Sequence, residues 1–324
     1  MMTLCTKDKS KWFTDEEKKN IAKKYHEAFG CRITNLEIFG FDRAILASGY
    51  PMDTNLYKPH DECIFFPQAN VNDITADVNI VDVTDTEFII EHGSSTLLNK
   101  QITKRNRKTL AKLGSCEIGS GHDAYLKGIT IQFSLDYPVW LSPQIQRYSH
   151  IFYVSSTSAM QRITELKDVS KYMDPMIANS LEAQLMQDRI NIYKKYLNDL
   201  KAGYINADEY RIIEHNYKDA GQIVYSIMNI TEDEASYEHT RKFTKEEFYH
   251  YIISICPQGL MKTVDISTNA LQIKNVINQR TFHKMPEWRY MCEVFKSLPI
   301  WKDLGIQIVN NKLEPIDKYK RVQK

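Results

Sequence analysis

The sequence predicts a soluble globular protein that mixes helices with strands. Three observations point there. Capping boxes stand ahead of helical apolar spacing, and short β-branched runs are bounded by turn residues. The 324 residues, 43% apolar and 26% charged, also suffice for a sizeable core in one large domain or two modest ones.

The elements follow in chain order. Thr14 and Glu17 form a capping box that satisfies backbone N–H groups left open by a first helical turn, which predicts a helix over about Asp15 to Phe29. From Ile33 to Ala76 the pattern is irregular, and residues 1–77 read as an N-terminal extension. "VNIVDV" and "EFIIEH" are strand-like, and "RNRKTLAKL" reads as a helix that stops at Gly114. "ITIQFSLDYPVWL", from Ile129 to Leu141, alternates β-branched and aromatic residues before a proline, as a strand entering a turn or helix does. Leu181, Leu185, Ile190, Tyr193, Leu197 and Leu200 recur at helical steps before Gly203, and a second helix is expected from Asp208. The pair would make a helical hairpin inserted at about 175–240 in a domain spanning 78–324. "TEDEASYEHTRKFTKEE" reads as a charged loop, after which Thr244 and Glu247 cap a helix ending at Pro257.

Charge excludes some function classes. Forty-two basic residues face forty-one acidic ones, so bulk attraction to nucleic acid or to an anionic membrane is not expected, and any phosphate site must be local. The six cysteines are scattered without a CxxC pair or a Cys/His cluster, which predicts free thiols, a reducing cytoplasm and no metal site. The N-terminal stretch lacks the apolar run of a signal peptide, and no segment approaches the roughly 20 apolar residues of a membrane span.

Generic catalytic motifs are absent. "GSGH", from Gly119 to His122, lacks the lysine and further glycine of a phosphate loop and reads as an ordinary loop. "QIQRYSHIFYVSSTSAMQRI", from Gln144 to Ile163, is either a polar sheet edge or a surface that holds an anion. On a helical wheel, "STNALQIKNVINQRTF" places Ile273, Val276 and Ile277 on one face with Asn269 and Arg280, while Asn275 points elsewhere. An arginine on an apolar face either snorkels, pairs with an acid or meets an anionic ligand.

Two blocks of the chain resemble a known family. "HDAYLKGITIQFSLDYPVWLSPQIQR" is similar to the segment opening the active site of flavin-dependent thymidylate synthases (ThyX), with His122, Pro138, Gln144 and Arg147 at the family's spacing. "CPQGLMKTVDISTNALQIKNVINQR" keeps the family's offsets at Pro257, Asn269, Asn275 and Arg280. The resemblance spans about residues 78–296 outside the insertion. It implies an α+β, ThyX-like fold, a mixed sheet packed with helices, usually a homotetramer with sites where subunits meet. It further implies FAD as cofactor, NADPH as reductant, methylenetetrahydrofolate as one-carbon donor and a pyrimidine deoxynucleotide, dUMP, as acceptor at carbon 5. By this match Arg280 polarises the pyrimidine; Gln144, Arg147, Ser156, Ser158 and Arg162 contact the nucleotide; and His122, Tyr148, Ser149, His150, Asn269 and Asn275 hold FAD. Arginine suits the phosphate and the developing ring charge because its guanidinium stays charged and binds oxygens in pairs.

The chain also departs from the family. Where the family reads Arg-His-Arg, this sequence has Arg147, Tyr148 and Ser149, and its Asn-Glu and Arg-Tyr positions carry Ser155, Ser156, Met160 and Gln161. Two further family arginines are Ile253 and Leu271. The phosphate is then held by other groups, with Arg162, His150, Lys274 and Lys284 as candidates, or the nucleotide differs, or it no longer binds. Tyr148 can hydrogen-bond through its hydroxyl but supplies no charge at neutral pH.

Overall fold

Alternation in "TIQFSLDYP" makes Thr130–Pro138 (β2) the centre of the fold, burying Ile131, Phe133, Leu135 and Tyr137 on one face. A computed structural model of the chain describes residues 14–27, 30–41, 44–45, 48, 104–158, 160–217, 222–231 and 240–317. The architecture is α+β. Arg32–Phe39 (β1), β2, Met261–Asn269 (β7) and Phe152–Ser156 (β3) form a four-stranded sheet in the order β1-β2-β7-β3, with β3 at an edge. β2 and β7 pair without interruption from Thr130↔Asn269 to Pro138↔Met261. β7 then passes directly into the helix Ala270–Arg280.

Helices cover the buried face of this sheet. Asp15–Glu27 (α1), Lys104–Gly114 (α2) and the single turn Ser142–Ile145 (α3) come from the first half of the chain. Leu181–Ala202 (α4) and Lys245–Ser254 (α5) belong to a second unit, while Ala270–Arg280 (α6), Pro286–Lys296 (α7) and Pro299–Asp303 (α8) return to the first. The main core joins Ile38, Ile131, Phe133, Ile273, Ile277, Trp288 and Phe295. A hairpin of Ile306–Val309 (β8) and Lys312–Pro315 (β9) closes the chain.

The second unit packs α4 and α5 on a three-stranded sheet in the order β5-β4-β6, formed by Gln222–Asn229 (β5), Tyr210–Tyr217 (β4) and Thr240–Phe243 (β6). Ser180 caps α4, accepting from the Ala183 N–H at 3.3 Å, and Gly203 ends it at a φ of 74°, where a glycine pays no Cβ penalty. Arg189 lies against the rings of Tyr225 and Tyr251 at 5.6 and 5.7 Å, and both tyrosine hydroxyls donate to Glu214. Thr244 and Glu247 form the expected capping box of α5. Thr244→Ala should lower stability by about 1 kcal/mol, read as a shift of the urea midpoint.

Four expectations are corrected. The predicted helical hairpin is one helix followed by strands: "YRIIEHNY" and "QIVYSIMN" pair in register from Tyr210↔Asn229 to Tyr217↔Gln222. β-Branched and aromatic residues in both segments favour that ladder over a second helix. Part of the charged loop is β6, paired with β4. The expected mixed sheet is antiparallel among the described strands, because β7 runs opposite to both of its neighbours. β1, read as irregular extension, is a sheet strand whose Ile38 is fully buried. "VNIVDV" and "EFIIEH" lie outside the described residues.

At the start of α7, Glu287 is 2% exposed, and its Oε2 has no hydrogen-bond partner among the described residues. Burial pushes its carboxyl above the ordinary range, and Asp174 adds to the effect. A carboxyl raised in the folded state keeps a proton that the unfolded chain has shed, so stability is lost as pH climbs from the ordinary carboxylate range through the raised value. Glu287→Gln should therefore be more stable than the parent at neutral pH and match it below about pH 4. Urea midpoints at the two pH values would check this, and a variant weaker at neutral pH would contradict it.

Among the described residues, no helix is long and apolar enough to cross a membrane, and no group of three or more His, Cys, Asp or Glu could hold a metal ion.

Candidate functional site

The site is built on the end of α6. Ile273, Val276 and Ile277 turn into the core, as the helical spacing predicts, and Asn269 caps the helix by accepting from the Gln272 N–H at 2.9 Å. Arg280 ends the same helix and is half-buried. Among the described residues it meets no acid, and it does not snorkel freely. Its guanidinium carbon lies 4.8 Å from the Trp288 ring centroid and 5.5 Å from that of Tyr148, and its Nε–H donates to the Tyr148 hydroxyl at 2.7 Å.

Those aromatic neighbours are themselves fixed. Trp288 is 1% exposed on α7, packs edge-on to Tyr148 at 5.6 Å and donates its indole N–H to the Gln144 Oε1 at 2.9 Å. The Tyr148 hydroxyl donates to the Gln279 Oε1 at 3.2 Å. Gln144 sits in α3, which starts where β2 has delivered the chain to the edge of the core. Arg280 is thus joined to the 144–148 segment, Tyr148 lying 132 positions earlier in the chain.

The other predicted residues are distributed as follows. Arg147, Ser149 and His150 are exposed beside Tyr148; the His150 carbonyl accepts from the Thr268 hydroxyl at 2.7 Å, and its ring is edge-on to Phe152. Ser156 pairs with Val264 on β3, four residues beyond Phe152, roughly 13 Å along the strand. Ser158 and Arg162 lie further on, and Arg162 is exposed and paired with Glu165 at 2.7 Å. Among the described residues, no hydrogen bond or ion pair joins Ser156, Ser158 or Arg162 to Arg280. His122 is exposed on the loop before a short 3-10 turn, Ala124–Gly128. Lys274, a phosphate candidate, is instead 4% exposed and bound to Asp123 and to the Cys116 carbonyl, each at 2.5 Å.

Two features bear on what the site can hold. Asn275 buries its Oδ1 without a hydrogen-bond partner among the described residues, a deficit that a ligand N–H would remove. His283, edge-on to Trp288 at 6.3 Å, has its pKa lowered by burial and then by Arg280, Lys284 and Arg289. Its Nδ1 accepts from the Met285 N–H, so the ring is neutral at physiological pH. The constellation can bind an electron-rich, oxygen-bearing ring and stabilise negative charge on it.

Sequence reasoning did not single out Trp288, Gln279 or the Lys274–Asp123 pair. Trp288 and Gln279 matter through hydrogen bonds to residues far away in the chain, which no local period records.

Thiol chemistry is confined by burial. Among the described cysteines, all free, burial pushes Cys256 up to about 11 and Cys292 up to about 12. Iodoacetamide at pH 8 should therefore label Cys116, which is partly exposed, well ahead of these two in the native protein, as peptide mapping would show.

No protein-family model matches the chain, and no curated protein matches it by sequence. Among solved structures, the chain is similar to the flavin-dependent thymidylate synthase ThyX of Helicobacter pylori complexed with FAD and dUMP. The TM-score is 0.37 at 10% identity, over 67% of this chain and 86% of that one. A second structure of thymidylate synthase X from Helicobacter pylori with FAD and dUMP gives a TM-score of 0.37 at 10% identity, over 68% and 88%.

Proposed function

We propose that this chain is a flavin-dependent, thymidylate synthase-like enzyme of the cytoplasm. It transfers a one-carbon unit from methylenetetrahydrofolate to carbon 5 of a pyrimidine deoxynucleotide, with dUMP to dTMP the most economical reaction. One observation carries the reading: Arg280, from the tail block of the resemblance, is seated on Tyr148 and Trp288 beside Gln144, from the middle block.

The residues divide the work. Arg280 spends its Nε–H on Tyr148, which leaves both Nη groups to donate to a ring carbonyl and to stabilise charge that develops on the pyrimidine. The aromatic rings hold the guanidinium in place before the ligand arrives. Gln144 orients the base, and the exposed Arg147 meets the nucleotide phosphate. FAD suits the orphaned Asn275 oxygen, which needs an N–H donor such as a flavin ring offers, and the half-buried Tyr148 with the exposed Ser149 and His150 lines its approach. Asn269 uses one lone pair of its oxygen to cap α6, and its amide NH2 remains to donate to the cofactor. FAD, when bound and reduced by NADPH, supplies the hydride. In the proposed homotetramer, Ser156, Ser158 and Arg162 complete the site of a neighbouring copy, Ser156 lying four residues along β3 from Phe152.

A second reading, a catalytically inactive nucleotide- or partner-binding oligomer, has one observation in its favour. Arg162 is closed onto Glu165 and Lys274 onto Asp123, so two cations available for a phosphate are already neutralised. The absorption spectrum separates the readings. A yellow protein that bleaches with NADPH supports the enzyme, and a colourless one that cannot be reconstituted with FAD supports the binding protein.

A further inference from the structure

The geometry points to Gln279 as a specificity-determining residue that, together with Gln144, admits a pyrimidine edge of carbonyl oxygens and rejects an amino-bearing one. This rests on the reading above and names the ring chemistry that the same site selects.

An amide side chain can face a ligand with its oxygen or with its NH2, and its neighbours decide which. The orientation of Gln144 is forced by its neighbour, and that of Gln279 is read from its bond to the Tyr148 hydroxyl. The indole N–H of Trp288 can only donate, so the atom of Gln144 that meets it at 2.9 Å is the oxygen, and the NH2 of Gln144 is turned away from the indole. The Nε–H of Arg280 can also only donate, and it occupies the Tyr148 hydroxyl as acceptor at 2.7 Å. In the structure the single hydroxyl proton of Tyr148 is donated to the Gln279 oxygen at 3.2 Å. Gln279, exposed at the end of α6, is left with its NH2 to present.

Arg280 and Gln279 are consecutive on a helix, so their side chains leave the axis about 100° apart. The Tyr148 hydroxyl ties them back into one edge, because it bonds both. The groups these bonds leave over are the Nη groups of Arg280 and the NH2 groups of Gln279 and Gln144, the last linked to Arg280 through Trp288, and all of them donate. A ring carbonyl or a developing oxyanion matches them. A ring amino group sets N–H against N–H and strips both sides of their water without a bond in return. The relay from Arg280 through Tyr148 to Gln279 also polarises in series, which strengthens each bond over an isolated one.

The test is calorimetric titration of the full-length, FAD-loaded protein with dUMP and with dCMP. The parent is expected to bind dUMP at least about tenfold more tightly than dCMP. Gln279→Glu keeps an oxygen for Tyr148 and replaces the NH2 donor with a second acceptor, so it should weaken dUMP and shrink the dUMP:dCMP ratio by about tenfold. Should that variant lose its fold by circular dichroism or its flavin absorbance, Tyr148→Phe removes both hydroxyl bonds and is expected to shift the ratio in the same direction. Equal affinity for the two nucleotides in the parent, or an unchanged ratio in the folded variant, overturns the inference and leaves the flavin-dependent reading standing. Binding of neither nucleotide by the FAD-loaded parent overturns both.

Discussion

Arg280→Ala should reduce turnover by a factor of at least about a hundred while FAD remains bound. The size follows from the place of the charge. The guanidinium is the cation that the site holds against its aromatic wall, 4.8 Å from Trp288 and hydrogen-bonded to Tyr148, so it is organised before substrate enters. Truncation to Ala leaves the developing ring charge without a partner; it also frees the Tyr148 hydroxyl, but the flavin contacts assigned to Asn275, Ser149 and His150 make no bond to Arg280 among the described residues. Arg280→Lys keeps the charge but not the planar fork that bonds Tyr148 and the ring together, and it should fall between the parent and the Ala variant. Steady-state turnover with flavin absorbance measured on the same samples checks both expectations. Unchanged turnover in Arg280→Ala would remove this residue from the site.

Asp123→Ala should destabilise the protein by about 3–5 kcal/mol, the scale for stripping one partner from a buried ion pair. Asp123 and Lys274 meet at 2.5 Å with side chains 3% and 5% exposed, and the only other bond to the ammonium among the described residues is to the Cys116 carbonyl. Without the carboxylate, the ammonium has to stay buried and underbonded or pull α6 away from the loop that carries His122. The double variant Asp123→Leu/Lys274→Met removes both charges and should recover most of the loss. Denaturant midpoints of the three proteins provide the measurement. A single variant that loses less than about 1 kcal/mol would show that water reaches the pair.

What the sequence made legible was mostly local. The capping box at Thr244 and Glu247, the stop at Gly203, the strand at Thr130–Pro138 and the apolar face of Ala270–Arg280 are each set by residues a few positions apart. The failures depended on partners at a distance. Tyr210–Tyr217 is a strand because Gln222–Asn229 and Thr240–Phe243 pair with it, and Arg32–Phe39 is one because β2 offers it an edge. The same division holds at the site. Arg280 was legible as an unusual arginine on an apolar face, and motif spacing linked it to Gln144 and Tyr148. Its seat on Trp288 and the tie to Gln279 were not legible, because an aromatic wall and a hydroxyl bridge leave no spacing in the sequence. Lys274 misled for a related reason. A lysine on a polar-looking stretch resembled a phosphate ligand until the fold placed it against Asp123.

The central claim is that Arg280, seated where the tail motif block meets the middle one, activates carbon 5 of a pyrimidine nucleotide. Release of tritium from position 5 of labelled dUMP, with FAD, NADPH and methylenetetrahydrofolate present, tests it most directly. The account predicts release that depends on the folate donor and disappears in Arg280→Ala; release from neither dUMP nor dCMP by the FAD-loaded parent would contradict it.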